Sequence, residues 1–470
     1  MSINQNHMNR SSTKRFTGLA LFLAAILALP AGAAQVVPAS KEQVTLTFAP
    51  VVKKVAPAVV NIYARKVIRQ TPLFDDAFIQ RFFGQMAPRE RVENSLGSGV
   101  IVQSNGIVIT NFHVAGDADE IRVVLSDRRE FEAKVIGKDD RSDLAVLQIQ
   151  GASQLPALEL SSSDDVEVGD LVLAIGDPFG VGQTVTSGIV SGLARTTQVG
   201  AEFRSFIQTD AAINPGNSGG ALVTSDGRLV GINTAIYSQT GGSIGIGFAI
   251  PSNMVKAVLT SILKDGKVIR PWFGASARSV TADIAKNFGL ARPVGVMIDR
   301  VHFNSPAEKA GMQVGDIIKS INGREVADVD ELRYLYATLP TSGTATLTAL
   351  RKGAEVSLSI KLMAAPETPP RNAKVVGGRQ VFTGATVANF NPALAEEMGR
   401  EYREPTVLIT NIAPGSVAAS IGLLPGDIIV SIAGKPITNV DQFIKAIADP
   451  SAWEGVLNRN GQTILFRNPR

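Results

Sequence analysis

From Val44 to about Ala249, apolar residues come in short runs rich in Val, Ile and Leu, broken by Gly, Asn, Asp and Ser. Their period is two rather than 3.6, which predicts strands at Ile121–Leu125, Phe131–Ile136, Leu144–Ile149, Leu171–Ile175, Ser187–Leu193 and Leu229–Asn233. The stretch GVIVQSNGIVIT, Gly99 to Thr110, predicts a hairpin whose Asn105-Gly106 pair forms a tight primed turn with positive φ at both residues. Many short strands at this spacing predict a barrel or sandwich, so the fold class is mainly β. The period then becomes helical. Met254, Val255, Val258, Leu259, Ile262 and Leu263 share one face, with Ser252 or Asn253 as cap and Gly266 as stop. This helix closes the first domain, placed at residues 45–266.

Beyond it the chain repeats itself. Residues 296–323 (VMIDRVHFNSPAEKAGMQVGDIIKSING) match residues 407–434 (VLITNIAPGSVAASIGLLPGDIIVSIAG) at an offset of 111, without a gap and with twelve of twenty-eight positions identical. One module therefore occurs twice, at 268–364 and 379–470. Pro366, Pro369, Pro370, Gly377 and Gly378 predict a linker over 365–378, stiff first and flexible after.

At the other end, Arg10, Lys14 and Arg15 precede the apolar run Leu19–Leu29 and the small residues Ala31-Gly32-Ala33-Ala34, the order of an export signal over residues 1–34 cut after Ala33 or Ala34. An uncleaved membrane anchor is the alternative, because no charge lies between Arg15 and Lys41, although the run is short for a span of about 20 apolar residues. Membrane contact is expected only in that case. Either way the protein is expected outside the cytoplasm, in a bacterial periplasm. The chain carries a net charge of +4, and loss of the three basic residues in the signal leaves +1, which gives no drive toward nucleic acid. Cysteine is absent, which excludes thiol catalysis, disulfides and Cys-ligated metals. With three histidines, no P-loop and no H-E-x-x-H, neither a metal nor a nucleotide cofactor is implied.

The candidate chemistry is a serine among glycines, in TDAAINPGNSGGAL from Thr209 to Leu222. Glycines permit a backbone whose amides converge on one point, as stabilisation of an oxyanion requires, though such a tract is equally an ordinary turn. His113 follows a hairpin strand in TNFHV and is one of two histidines outside the signal; Asp143 opens an apolar strand in RSDLAVL, where a carboxylate needs a partner. A structural histidine and a turn aspartate are the plain alternatives for each alone. Together, His, Asp and Ser in that chain order match the chymotrypsin-type arrangement. The G-x-S-x-G spelling also suits an α/β-hydrolase, but that fold needs its histidine after the serine, and His302 lies inside the repeat opposite Ala413. His302 is expected to face solvent.

With TNFHV, RSDLAVL, NPGNSGGAL, GINTAI and GIGFAIP the chain resembles the HtrA/Deg family of periplasmic serine proteases, from about Phe48 to the C-terminus. The resemblance implies a chymotrypsin-like double β-barrel followed by two PDZ domains. It implies His113 as general base, Asp143 as the holder of the imidazole tautomer, Ser218 as nucleophile, and the loop Gly216-Asn217-Ser218 as oxyanion hole through the amides of Gly216 and Ser218. Ala212, six residues before the serine where trypsin-like specificity needs a carboxylate, and Ile213 after it, imply cleavage after small aliphatic residues. Asn217 stands where digestive zymogens carry an aspartate. The strand through Asn233, Thr234 and Ala235 would pair with the substrate backbone. Phe273, Gly274 and Ala275 would form the peptide-binding loop of the first PDZ domain; in the second, Thr383 replaces Phe273, and a purely structural module is the alternative. LFDDAFIQRFFG, Leu73 to Gly84, resembles the family's regulatory loop, with a core helix as the alternative. Expected partners are unfolded polypeptides, hydrophobic C-terminal peptides and further copies of the chain in trimers or their multiples. A non-catalytic holdase or adaptor is the competing function.

Overall fold

The computed structural model describes residues 47–69, 90–177, 182–195, 205–214, 216–236, 243–378, 380–400, 402–448 and 453–468. The segments 1–34 and 73–84 lie outside the described residues. Two compact units are distinguished, Met1–Pro50 and Val51–Arg470, and the functional candidates all lie in the second.

Twelve strands form two closed barrels. In the first, β1 (Val59–Arg69), β2 (Glu90–Gln103), β3 (Ile107–Thr110), β4 (Glu120–Val124), β5 (Glu130–Asp139) and β6 (Leu144–Ile149) run in the order β1-β2-β3-β6-β5-β4. In the second, β7 (Leu171–Gly176), β8 (Thr184–Arg195), β9 (Phe206–Thr209), β10 (Ala221–Thr224), β11 (Leu229–Ile236) and β12 (Gly247–Pro251) run β10-β11-β12-β9-β8-β7. Closure leaves each barrel without an open edge, and alternate residues fill it: Val60, Ile62, Ile101, Val108, Val123 and Leu147 in the first, Val172, Ala174, Val190, Ile207, Leu222 and Val230 in the second. Strands β1, β9, β10 and β12 are additional to those the alternation pattern singled out.

The β2–β3 hairpin departs from expectation. Only Gly106 has positive φ, at 93°, its amide bonds the Gln103 carbonyl at 3.0 Å, and the register slips between Ile101 and Gln103. A three-residue loop with a glycine bulge therefore replaces the two-residue turn, so Asn105 avoids the left-handed region. Helix α1 (Phe112–Ala115) follows β3, and α2 (Ser252–Asp265) follows β12. Gly266 stops α2 at φ 69° as expected, but neither Ser252 nor Asn253 caps it. The Ser252 hydroxyl donates to the Ser161 carbonyl, and the Asn253 backbone amide donates to the Ser163 hydroxyl. Ile262 packs where Gly137 on β5 leaves no room for a Cβ, so α2 ties its own end of the second barrel to the first.

The repeat folds twice into similar sheets. The first holds β13 (Ala275–Ser279), β14 (Val296–Val301), β15 (Ile317–Ile321), β16 (Arg324–Glu325), β17 (Thr344–Arg351) and β18 (Ala354–Lys361), with α3 (Val329–Ala337) beside it. The second holds β19 (Lys374–Val375), β20 (Ala385–Phe390), β21 (Thr406–Ile412), β22 (Ile428–Ile432), β23 (Lys435–Pro436), β24 (Trp453–Arg459) and β25 (Gln462–Asn468), with α4 (Pro392–Glu397) and α5 (Val440–Ile447). The aspartate of each Gly-Asp-Ile-Ile block explains part of the repetition. Asp316 and Asp427 are buried carboxylates, each gripped at 2.7 Å by both arms of an arginine, Arg351 and Arg459. Removing one arginine would leave a buried charge without its counter-ion, a loss of about 3–5 kcal/mol.

The proline stretch is not a free linker. Asn391 and Asn389 side chains donate to the Pro369 and Pro370 carbonyls at 2.8 and 2.7 Å, the Asn389 amide bonds the Arg371 carbonyl at 2.7 Å, and β19 then joins the second sheet. Prolines cannot donate, so asparagines from the second module satisfy their carbonyls and draw the segment in.

Candidate active site

Pairing of Thr110 with Ala145 sets the residue after β3 beside the residue before β6. Asp143 occupies that corner at φ 55°, a left-handed conformation unusual for aspartate and held by its surroundings. Its carbonyl accepts from the Phe112 amide at 3.1 Å and the Asn111 side chain at 3.0 Å, and its carboxylate accepts from the His113 amide at 3.1 Å. His113 Nδ1 lies 2.9 and 2.8 Å from the two carboxylate oxygens. With the Nδ1 proton donated there, Nε2 keeps its lone pair and points away from the carboxylate, which is what a proton acceptor requires.

The serine comes from the second barrel. Ser218 stands in the turn before β10, between Gly216 at φ 99° and Gly219 at φ 84°. A Cβ at Gly219 would fall 2.0 Å from the Ser98 carbonyl, so only glycine fits. The turn is held from both sides. Gly219 donates to the Asn233 carbonyl at 2.8 Å and Asn233 to the Gly220 carbonyl at 2.9 Å, while Ser98 of β2 donates its amide to the Ser218 carbonyl at 2.8 Å and its hydroxyl to the Gly216 carbonyl at 2.6 Å. The Ser98 hydroxyl also accepts the Asp177 amide at 2.8 Å, and the Ser98 carbonyl accepts the Thr110 hydroxyl at 2.7 Å. Asp177 is buried at the end of β7, and desolvation pushes its carboxyl above the usual range.

Among the described residues neither the Gly216 nor the Ser218 amide has an acceptor, whereas the Asn217 amide is bonded to the Asn214 carbonyl at 2.9 Å. Of the three oxyanion-loop residues, then, Asn217 has no amide to offer. Its side chain is buried and neither polar atom has a partner among the described residues.

The Ser218 hydroxyl does not bond the imidazole. It donates to the Thr234 carbonyl at 3.1 Å, while the Thr234 hydroxyl donates to Asp143 Oδ2 at 2.6 Å. A bulge between Asn233 and Ala235 turns Thr234 toward that carboxylate. Thr234 thus contacts both halves of the site, a role its place in GINTAI did not disclose. Ser98 was likewise missed; the signal available was a serine between two glycines at a strand, in LGSGVIV.

A trypsin-like peptidase domain model matches residues 97–232, and PDZ domain models match 242–362 and 408–452. Periplasmic serine endoprotease DegP of Escherichia coli (strain K12) is 37% identical over 485 residues, covering 97% of this chain and 99% of the relative. A probable periplasmic serine endoprotease DegP-like of Marinomonas sp. (strain MWYL1) is 40% identical, covering 86% and 88%. Among solved structures, HtrA-type protease AlgWS227A with decapeptide is similar at TM-score 0.53 and 42% identity, covering 69% of this chain and 99% of its own. The chain belongs to the HtrA-type serine endoproteases.

In this HtrA-type protease the residues expected to read substrate divide. Ile213 is buried in the core of the second barrel, against the Cβ-less Gly247 of β12, while Ala212 is half-buried and its carbonyl takes the Thr186 hydroxyl at 2.8 Å. Asn233 has both backbone groups engaged with Gly219 and Gly220, so it cannot pair with a substrate strand, and the Thr234 carbonyl holds the Ser218 hydroxyl; Ala235 pairs with Phe248.

In the first PDZ module Phe273, Gly274 and Ala275 line a cleft of about 470 Å³ that α3 and, from the second module, Pro392, Glu396 and Tyr402 also wall. Phe273 packs edge-on against Tyr336 at 5.0 Å, and Gly274 has φ 76°. His302 is not solvent-facing: it is 7% exposed, stacked on Trp272 at 6.3 Å and close to Tyr402 of the second module at 5.8 Å. The second module shields this position in the first copy, which Ala413 in the repeat could not reveal. The loop that carries Asp143 also touches both modules' side of the molecule. Asp139 forms a buried ion pair with Arg270, and Arg141 donates to the Glu396 carbonyl at 2.7 Å.

Proposed function

We propose that this periplasmic-type serine endopeptidase degrades unfolded or misfolded envelope proteins without ATP, reaching its compartment by a cleavable signal at residues 1–34. His113 Nε2 takes the hydroxyl proton of Ser218 as Oγ attacks the scissile carbonyl. The amides of Gly216 and Ser218 receive the oxyanion, and Asp143 steadies the imidazolium. Collapse breaks the C–N bond, the amine leaves with the proton from His113, and water hydrolyses the acyl-serine by the same route. The observation that carries this reading is the bond of 2.8 Å between His113 Nδ1 and Asp143, in a site where the Gly216 and Ser218 amides have no acceptor among the described residues.

Ala212 in place of a carboxylate supports cleavage after small aliphatic residues such as Val and Ala. The PDZ modules would hold substrate C-termini by their carboxylate and add them to a sheet edge, in an assembly of trimers or their multiples.

One observation favours a holdase as the second reading: the Ser218 hydroxyl rests on the Thr234 carbonyl, not on His113. Unfolded casein incubated with wild type and with Ser218→Ala separates the two. Cleavage by wild type alone, with Val or Ala before the cut in mass spectra of the fragments, is expected; equal and negligible cleavage by both would leave binding as the function.

A further inference from the structure

The two PDZ modules differ at the edge where a peptide would add. In the first, β13 is the outermost strand, and among the described residues no strand pairs with its other side. The Gly274 amide also has no acceptor among the described residues. In the second, the corresponding edge of β20 carries β19, antiparallel, with Lys374 opposite Val387 and Val375 opposite Thr386. The pairing continues one residue further. The Val376 amide bonds the Ala385 carbonyl at 2.8 Å, and the Gly384 amide, counterpart of Gly274, bonds the Val376 carbonyl at 2.9 Å. An internal carbonyl stands where a terminal carboxylate would be received.

Side chains follow the alternation of a bound strand. Val376 is 2% exposed and packs in one cluster with Phe382, Phe443 and Ile447. Phe443 and Ile447 occupy, at the offset of 111, the positions of Leu332 and Tyr336 that line the cleft of the first module. Val375 points outward, 72% exposed. Lys374 turns back to the groove, its Nζ 2.6 Å from Asp441 at the start of α5, where Asn372 also donates at 3.1 Å.

We infer that Lys374–Val376 is a built-in ligand of the second PDZ module, filling a groove that would otherwise take a peptide ending in an aliphatic residue with a basic residue two positions earlier. The inference rests on the reading of these modules as C-terminal peptide binders. Peptide capture then runs through the first module until β19 is displaced. A short tether holds such a ligand at an effective concentration on the order of millimolar, so a groove of micromolar affinity is filled from within about a thousand times more often than it stands open.

The probe is the hexapeptide Arg-Asn-Ala-Lys-Val-Val with a free carboxylate, titrated calorimetrically into the full chain bearing Ser218→Ala. One peptide per chain is expected. Adding Lys374→Ala with Val376→Gly should open a second site, with at least a tenfold gain in affinity there. Hydrogen exchange gives a readout that does not depend on the substituted module folding well: the Val376 and Gly384 amides should be protected in the Ser218→Ala chain. Two peptides bound by the chain carrying Ser218→Ala alone, or fast exchange at both amides, overturns the inference. Binding at the first module with none at the second after displacement overturns this inference alone; no binding at either overturns the reading beneath it as well.

Discussion

The two barrels bring different things to the active site. The first delivers a finished unit: Asp143 is fastened by its carbonyl to Phe112 and Asn111 and by its carboxylate to His113. The second delivers an unfinished one, with Ser218 on a turn of positive-φ glycines and its hydroxyl on the Thr234 carbonyl. Backbone pairing within one barrel fixes the proposed base, whereas the proposed nucleophile is held by Ser98 across the gap and by Thr234 of its own barrel. The acid–base half is therefore preassembled, while the Ser218 hydroxyl has still to leave the Thr234 carbonyl for the imidazole.

The sharpest way to break this contrast is to spoil the finished half. Asp143→Asn should keep the fold and lower kcat about 10⁴-fold, because the amide enforces the wrong imidazole tautomer; steady-state cleavage of an unfolded substrate, with circular dichroism as control, reads both. Next comes the serine half. Gly219→Ala puts a Cβ 2.0 Å from the Ser98 carbonyl at φ 84°, so the turn must shift and kcat should fall about 10²- to 10³-fold, the usual loss for one oxyanion donor. An unchanged kcat would show that the turn's geometry does not limit the reaction.

Smaller in effect is the bridge between halves. Ser98→Ala deletes the bonds to the Gly216 carbonyl and the Asp177 amide, a loss of about 1–3 kcal/mol in urea unfolding with kcat reduced alongside. Smallest is a pH effect at the same seam, where the Asp177 carbonyl takes the Asn61 side chain at 2.5 Å. Burial raises the Asp177 carboxyl, so the folded chain holds this proton more tightly than the unfolded one. Stability from this group is therefore greatest below its ordinary pKa near 4 and declines as pH climbs through the raised value. Asp177→Asn should flatten that slope in thermal unfolding followed across pH.

Several features were legible because they are written in neighbouring residues. Leu144–Ile149 is a strand with the bounds its apolar run predicts, Gly266 ends its helix, and the repeated Gly-Asp-Ile-Ile blocks fold alike. Others were illegible because their partners lie far along the chain. Ser98 meets Gly216 across 118 positions, Thr234 meets Asp143 across 91, and nothing near either residue announces the bond. His302 looked like a surface residue because its burial is supplied by the other module.

By itself the sequence determined the order of His113, Asp143 and Ser218, the glycines that let a turn take positive φ, and the duplication of one module, since each is a matter of residue type and spacing. Tertiary structure alone decided which amides of the serine loop are bonded among the described residues, where the serine hydroxyl rests, and that the stretch after the prolines completes a sheet instead of swinging free. Those outcomes turn on competition among distant hydrogen-bond partners, which only the packed chain resolves.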